Sequence, residues 1–547
     1  MENTKYETRN PKQIRITKLK NPPSLMDFAG TVKKDRKLRR TSSKRDCFAP
    51  TSSGLAMTKG AAGEGKNVLC GVRFKKVGAS VDLAALSEIF AGLENPSIIG
   101  GNPSRKDAGR FSYWAAEPRE IFEFRSGQTQ PFEKLQRLIE KYRLAEDRGQ
   151  KTEDRRRRTE GRGLPEGIFC GGWVGYFGYE LGRHTERLPE TAVDDLKMPL
   201  IRLCFYDRVI AYDHAEESFW LIALEILHQK ENAKEKFARL EELLAKAHQI
   251  KIGPPSPAKL DDIDFSNINC NMDKEYYLRM FEKIKRYIFD GDVYQINFSQ
   301  RFESNFSARP VELYHWQNFH NPSPYSAYID AGDFVIVSAS PEMFITIEEG
   351  VISTKPIKGT RRRIAETCEE DTKTNAKNFE ELVNCVKEQA ELNMIIDLER
   401  NDVARICRPG TRQVVQPRTI ETYPTVFHAV ATVAGELRKD VTFCDVMRAM
   451  FPGGSITGAP KIRSMEIIDE TEPTARGVYT GSIGHIGIDG NVSLNIAIRT
   501  IIVKDGIAYA QTGGGIVADS QPQAEWDETL VKARALLAGI KAAEVTE

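Results

Sequence analysis

Beyond residue 65 the chain moves between two apolar rhythms. Segments 200–210, 218–227, 334–338, 477–488, 493–503 and 507–511 are rich in β-branched and aromatic residues and predict strands. Segments 231–246, 275–289, 375–397 and 523–542 predict helices, the first of them amphipathic. In 171–179 glycine alternates with large apolar residues, which predicts a tightly packed strand or bend rather than a phosphate loop. Pro254, Pro255 and Pro257 mark a linker. The expected organisation is a first folded domain over 66–250, a linker over 251–272 and a second domain over 273–547. No internal repeat is found.

Residues 1–65 lack this periodicity. They carry basic clusters such as 33–40, KKDRKLRR, among Pro and Ser, and predict a disordered basic extension. It reads as a nucleic-acid tail or transit peptide, or as a dispensable extension with Met57 near the true start. Glu7 and Asp35 count against a transit peptide. The charged insert 145–162 reads as a solvated loop.

Composition narrows the classes. A chain of 547 residues exceeds one ordinary domain. A formal net charge of +1 gives no whole-protein case for nucleic acid or a membrane surface. No apolar run is long enough to span a bilayer. Nine dispersed cysteines without a C-x-x-C pair argue against a disulfide framework or a zinc site, and the expected location is cytoplasmic.

Two acidic pairs carry the first candidate chemistry. Glu388 and Glu391, like Glu525 and Glu528, are three residues apart and share a helix face. Each pair reads either as a solvated face or as half of an oxygen cage for a hard dication. Lys532 follows Glu528 by four residues. Gly513, Gly514 and Gly515 permit close approach of a ligand and offer N–H groups to a carboxylate. The turn FPGGSITG (451–458) has Walker-like glycines, but Ala459 stands where the lysine must be, so nucleotide binding is rejected. Arg499, late in a predicted strand, is a candidate fork for a carboxylate. Lys358, between Pro356 and Gly359, reads as a surface lysine or as a partly desolvated amine whose lowered pKa frees its lone pair. Glu342 is a candidate general acid. His428 reads by default as a buried, satisfied histidine.

The segments GDVYQINFSQRF (291–302), PIKGT (356–360), IIDLERND (395–402), FPGGSITGAPK (451–461) and GGGIVADSQP (513–522) resemble the chorismate-utilising enzymes. RFSYWAAEP (110–118) and GGWVGYFGYELGR (171–183) extend the likeness into the first domain. The resemblance implies an α+β fold of two large, mostly antiparallel β-sheets packed as a sandwich with flanking helices. It implies Mg²⁺ held directly by Glu391 and Glu528 and through water by Glu388 and Glu525. Arg499, Tyr479 and Gly513 to Gly515 match the enolpyruvyl-carboxylate side, and Gly359, Thr360 and Lys532 the ring-carboxylate side. His428 matches the histidine beside the departing group. Anthranilate synthases carry Ala where this chain has Lys358. The lysine implies the branch that aminates chorismate at C4, with Lys358 as nucleophile and Glu342 as acid/base. The alternatives are anthranilate synthase component I, or an isochorismate or salicylate synthase. No glutaminase motif is present, so ammonia is expected from a separate glutamine amidotransferase subunit. His485 stands where relatives usually have Tyr.

Overall fold

The computed structural model describes residues 68–100, 109–145, 163–227, 232–257, 263–265 and 268–545. The predicted basic extension 1–65 and nearly all of the charged insert lie outside them. The described residues belong to one compact unit, 64–547. Among them, a 13-stranded and a 10-stranded sheet account for the β-structure, antiparallel throughout except where Val68–Val77 meets Tyr142–Leu144.

Strands from both sides of the predicted linker share both sheets. In the larger sheet Ser97–Gly100 pairs with Tyr325–Asp330. In the smaller, Gly172–Phe177 pairs with Ser482–Gly487. The glycines of 171–179 permit that packing. A Cβ on Gly175 would lie 1.9 Å from the Arg202 carbonyl oxygen of the neighbouring strand.

The two-residue side-chain alternation of strands sorts apolar residues into layers. Tyr113, Ala211 and Ile336 of the large sheet meet Val174, Tyr176 and Cys204 of the small one in the inter-sheet core. Trp114, Ile210 and Val337 face outward against helix residues such as Leu243, Tyr314 and Leu537. Trp173 and Phe205 face the other way, in a core with Leu135, Leu392 and Met447. The α+β sandwich expected from the resemblance is the observed fold. His485 belongs to its inter-sheet core, 4.5 Å from Phe169 and 5.7 Å from Tyr113 by ring centroids.

Two predicted strands are each two strands. Segment 200–210 divides at Asp207: Ile201–Tyr206 lies in the small sheet and Arg208–Asp213 in the large one. Buried Asp207 holds the crossing, with the Lys236 ammonium 2.8 Å away. Segment 493–503 divides in the same way into Val492–Asn495 and Thr500–Lys504. Apolar residues continue through both crossings, so periodicity does not reveal them. The predicted helix 375–397 is also two, Glu369–Asn384 and Val386–Ala404, interrupted at Cys385 by an extended ψ of 103°.

Candidate active site

The site is assembled where chains cross between the sheets. Phe334–Ser340 runs in the large sheet and Met343–Glu348 in the small one, and Glu342 sits in the two-residue crossing. Arg499 occupies the neighbouring crossing, with φ +50, rather than the end of a strand. Backbone bonds lash the crossings together. The Ala339 N–H donates to the Arg499 carbonyl at 3.0 Å, and the Ile496 N–H to the Glu342 carbonyl at 3.0 Å.

Lys358 lies on the strand Ile357–Arg362. Its Nζ donates to the Ser455 carbonyl at 3.2 Å. Burial pushes its ammonium below the ordinary lysine range, opposed by the carboxylates of Glu342, Glu391 and Glu528. Glu342 is buried, and that burial raises its carboxyl, against the pull of a Ser455 hydrogen bond and the Lys358 charge. An amine biased toward its free base therefore faces a carboxyl biased toward holding its proton.

Thr360 Oγ1 lies 2.9 Å from His428 Nδ1. His428 is 2% exposed, and its Nε2 has no hydrogen-bond partner among the described residues. Burial and the nearby Arg499 cation drive its pKa down to about 3, so the ring is neutral. Desolvation also lowers Arg499, and among the described residues no carboxylate pairs with it. A partly buried guanidinium without a carboxylate partner suits an anionic ligand. Burial raises the Tyr479 phenol to about 12.

The three glycines do not follow a strand but lie inside one, Ile507–Ile516, paired with Gln295–Asn305. Lys532 Nζ donates to the Gly513 carbonyl at 2.8 Å and lies 2.8 Å from Glu528 Oε1. A Cβ on Gly514 would stand 3.0 Å from Glu525 Oε2 and 3.7 Å from Glu528 Oε1. Beside Gly515, Gln295 is 1% exposed with both side-chain amide atoms unpartnered.

The acidic pairs do project from helices, Val386–Ala404 and Pro522–Val545. Arg361 Nη1 donates to Glu388 Oε1 at 2.7 Å, leaving buried Glu388 Oε2 without a donor. Gly359, at φ +98, is required beside it, since a Cβ would lie 2.9 Å from that oxygen. Burial raises Glu391 and Glu525, and in each case a neighbouring glutamate adds to the rise. Glu528 is instead lowered, because Lys532 and Lys387 outweigh its burial. Among the described residues no three carboxylate, imidazole or thiol groups converge tightly enough to hold a metal by themselves. The unpartnered carboxylate oxygen and the hard oxygen donors nevertheless suit Mg²⁺, which takes one or two carboxylates and keeps several waters.

The chorismate binding enzyme family matches residues 103–538. The chain belongs to that family. It is 40% identical over 382 residues to anthranilate synthase component 1 of Acetivibrio thermocellus, covering 69% of this chain and 76% of the relative. It is 38% identical over 376 residues to aminodeoxychorismate synthase component 1 of Bacillus subtilis, covering 69% and 78%. Anthranilate synthase component I from Streptococcus pneumoniae superimposes with a TM-score of 0.64 at 29% identity, covering 78% of this chain and 92% of that one. The chain is therefore a chorismate-utilising enzyme. No helix among the described residues is long and apolar enough to cross a membrane.

Sequence reasoning missed Ser455, Arg361 and Gln295 as members of the site. Ser455 and Gln295 lie within quoted motifs, but the roles of their atoms depend on contacts across more than ninety residues. Arg361 adjoins PIKGT, and a basic residue next to an anion site was its only signal.

Proposed function

We propose that the chain is aminodeoxychorismate synthase component I, converting chorismate and ammonia to 4-amino-4-deoxychorismate. The observation that carries the reading is Lys358: a desolvated amine beside the protonated-leaning Glu342, in the position where anthranilate synthases carry alanine.

Arg499 and the strand edge at Gly513 to Gly515 bind the enolpyruvyl carboxylate, with Tyr479 alongside. Thr360 and Lys532 orient the ring carboxylate. Lys358 Nζ adds at C2 as the ring double bond shifts and the C4 hydroxyl leaves as water, carrying the Glu342 proton. The Glu342 carboxylate then takes the proton from the new C2 ammonium. Ammonia adds at C4, the double bond shifts back, and Lys358 departs as Glu342 returns the proton to it. The proton lost by the incoming nitrogen returns to the Glu342 carboxylate and restores the acid, so the net change is chorismate plus ammonia to product plus water. Neutral His428 donates or accepts a hydrogen bond without adding charge. Glu391 and Glu528, with Glu388 and Glu525 through water, would hold Mg²⁺, which when bound would supply positive charge to the ring carboxylate. A separate glutamine amidotransferase subunit supplies ammonia.

The second reading is anthranilate synthase component I, favoured by the Acetivibrio relative. Product analysis decides between them. The chain is incubated with chorismate, Mg²⁺ and ammonium, with and without aminodeoxychorismate lyase. 4-Aminobenzoate formed only with the lyase, and lost or diverted in Lys358→Ala, supports the C4 reading. Anthranilate formed without the lyase overturns it.

A further inference from the structure

The helix Val386–Ala404 carries a second acidic pair that repeats the first. Glu399 follows Glu388, and Asp402 follows Glu391, by eleven residues, or about three helical turns. The second pair therefore points the same way about 16 Å along the axis. Unlike the first, it is sealed, with Glu399 3% and Asp402 4% exposed.

Its partners lie on the glycine turn. The Gly454 N–H hydrogen-bonds to the Glu399 carboxylate, and a Cβ on Gly454 would stand 3.3 Å from Glu399 Oε1 and 2.4 Å from Leu398 Cδ2. Lys461 Nζ bridges Asp402 and the Met450 carbonyl, fixing both ends of the same turn to the helix. The residue after Gly454 is Ser455, whose carbonyl receives Lys358 Nζ and whose side chain bonds Glu342. The charged groups facing Glu399 are Lys461, Asp402 and Glu342. The charged group nearest Glu342 in turn is Lys358.

We propose that Glu399 is a positioning residue for the Lys358–Glu342 pair, acting through the turn Gly454–Ser455 from behind the site. This rests on the reading of Lys358 and Glu342 as the reacting pair. Glu399 meets the reacting pair through that turn and through its charge toward Glu342, so its loss should alter turnover rather than binding.

The test uses the full chain carrying Glu399→Ala, Glu399→Gln or Glu399→Asp, with chorismate consumption followed whatever the product. Glu399→Ala removes the acceptor for a buried N–H, and kcat should fall about tenfold or more with KM little changed. Glu399→Gln keeps an acceptor and should restore much of kcat. Burial raises Glu399 to about 7, so above that pH the amide also removes a negative charge facing Glu342, and Glu342 gives up its proton more readily. The alkaline limb of kcat against pH should then move to lower pH, which a merely structural role would not produce. Unchanged kcat in Glu399→Ala, an equal loss in all three variants, or an unmoved alkaline limb in Glu399→Gln overturns the proposal. If Glu399→Ala fails to fold, the Gln and Asp profiles decide alone. Failure of the C4 reading appears separately, as a different product with the same dependence on Glu399.

Discussion

The helices Val386–Ala404 and Pro522–Val545 carry matching glutamate pairs, yet they neutralise them differently. On the first, the close cation comes from the sheet: Arg361 holds Glu388, while Glu391, with Lys387 of its own helix 3.9 Å away, is raised by burial. On the second, the cation comes from the same helix one turn on: Lys532 holds Glu528, while Glu525 is raised by burial. Each pair thus contains one carboxylate held closely by a cation and one for which burial dominates. In the first helix the desolvated member is the one assigned as a direct Mg²⁺ ligand, and in the second it is the paired one. Equal spacing along a helix therefore does not give equal electrostatics.

The largest test of that asymmetry removes the assigned direct ligands. Glu391→Gln and Glu528→Gln should each lower kcat/KM by about a hundredfold and raise the Mg²⁺ needed for half activity, against about tenfold for Glu388→Gln and Glu525→Gln. Equal losses at all four positions in a Mg²⁺ titration would erase the division of roles.

Acid stability separates site from core next. His428 and His485 have folded pKa values near 3 and 4, depressed by burial from 6.5. The unfolded chain takes these protons first, so stability is complete above about pH 6.5 and declines as pH falls toward the folded values. His485→Phe should recover about 2 kcal/mol near pH 4.5 and leave kcat unchanged. His428→Asn should flatten the same acid decline but lose activity. Denaturant melts across pH, paired with turnover assays, distinguish the two.

Exchanging the cations has a smaller effect. Arg361→Met frees Glu388, and half-saturation by Mg²⁺ should fall about threefold. Lys532→Met should instead raise KM for chorismate. Smallest is the stability change of Lys532→Met, no more than about 0.5 kcal/mol, because both partners are about half exposed. A larger drop in melting free energy would mean that the pair is more buried in solution.

The acidic pairs were legible because they lie within helices, where spacing in sequence is spacing in space. Lys358 stood out through its Pro and Gly neighbours. The crossings at Asp207 and Arg499 were not legible. An apolar run looks the same whether it continues in one sheet or steps into another, and only the partners on either side decide. Arg499 was picked as an anion fork but placed on a strand, and the glycines were placed after a strand that contains them. Glu399 escaped because a carboxylate three turns beyond a candidate pair looks solvated until Gly454 is found against it.

Because Glu342 and Arg499 sit on lashed crossings, the amides that hold them belong to the sandwich rather than to a loop. Exposing the Ala339 and Ile496 N–H groups to water requires parting strands of both sheets. Their hydrogen exchange should therefore proceed through global unfolding, at the slowest rates in the molecule. On the proposed reading, the acid and the anion anchor would be as long-lived as the fold itself.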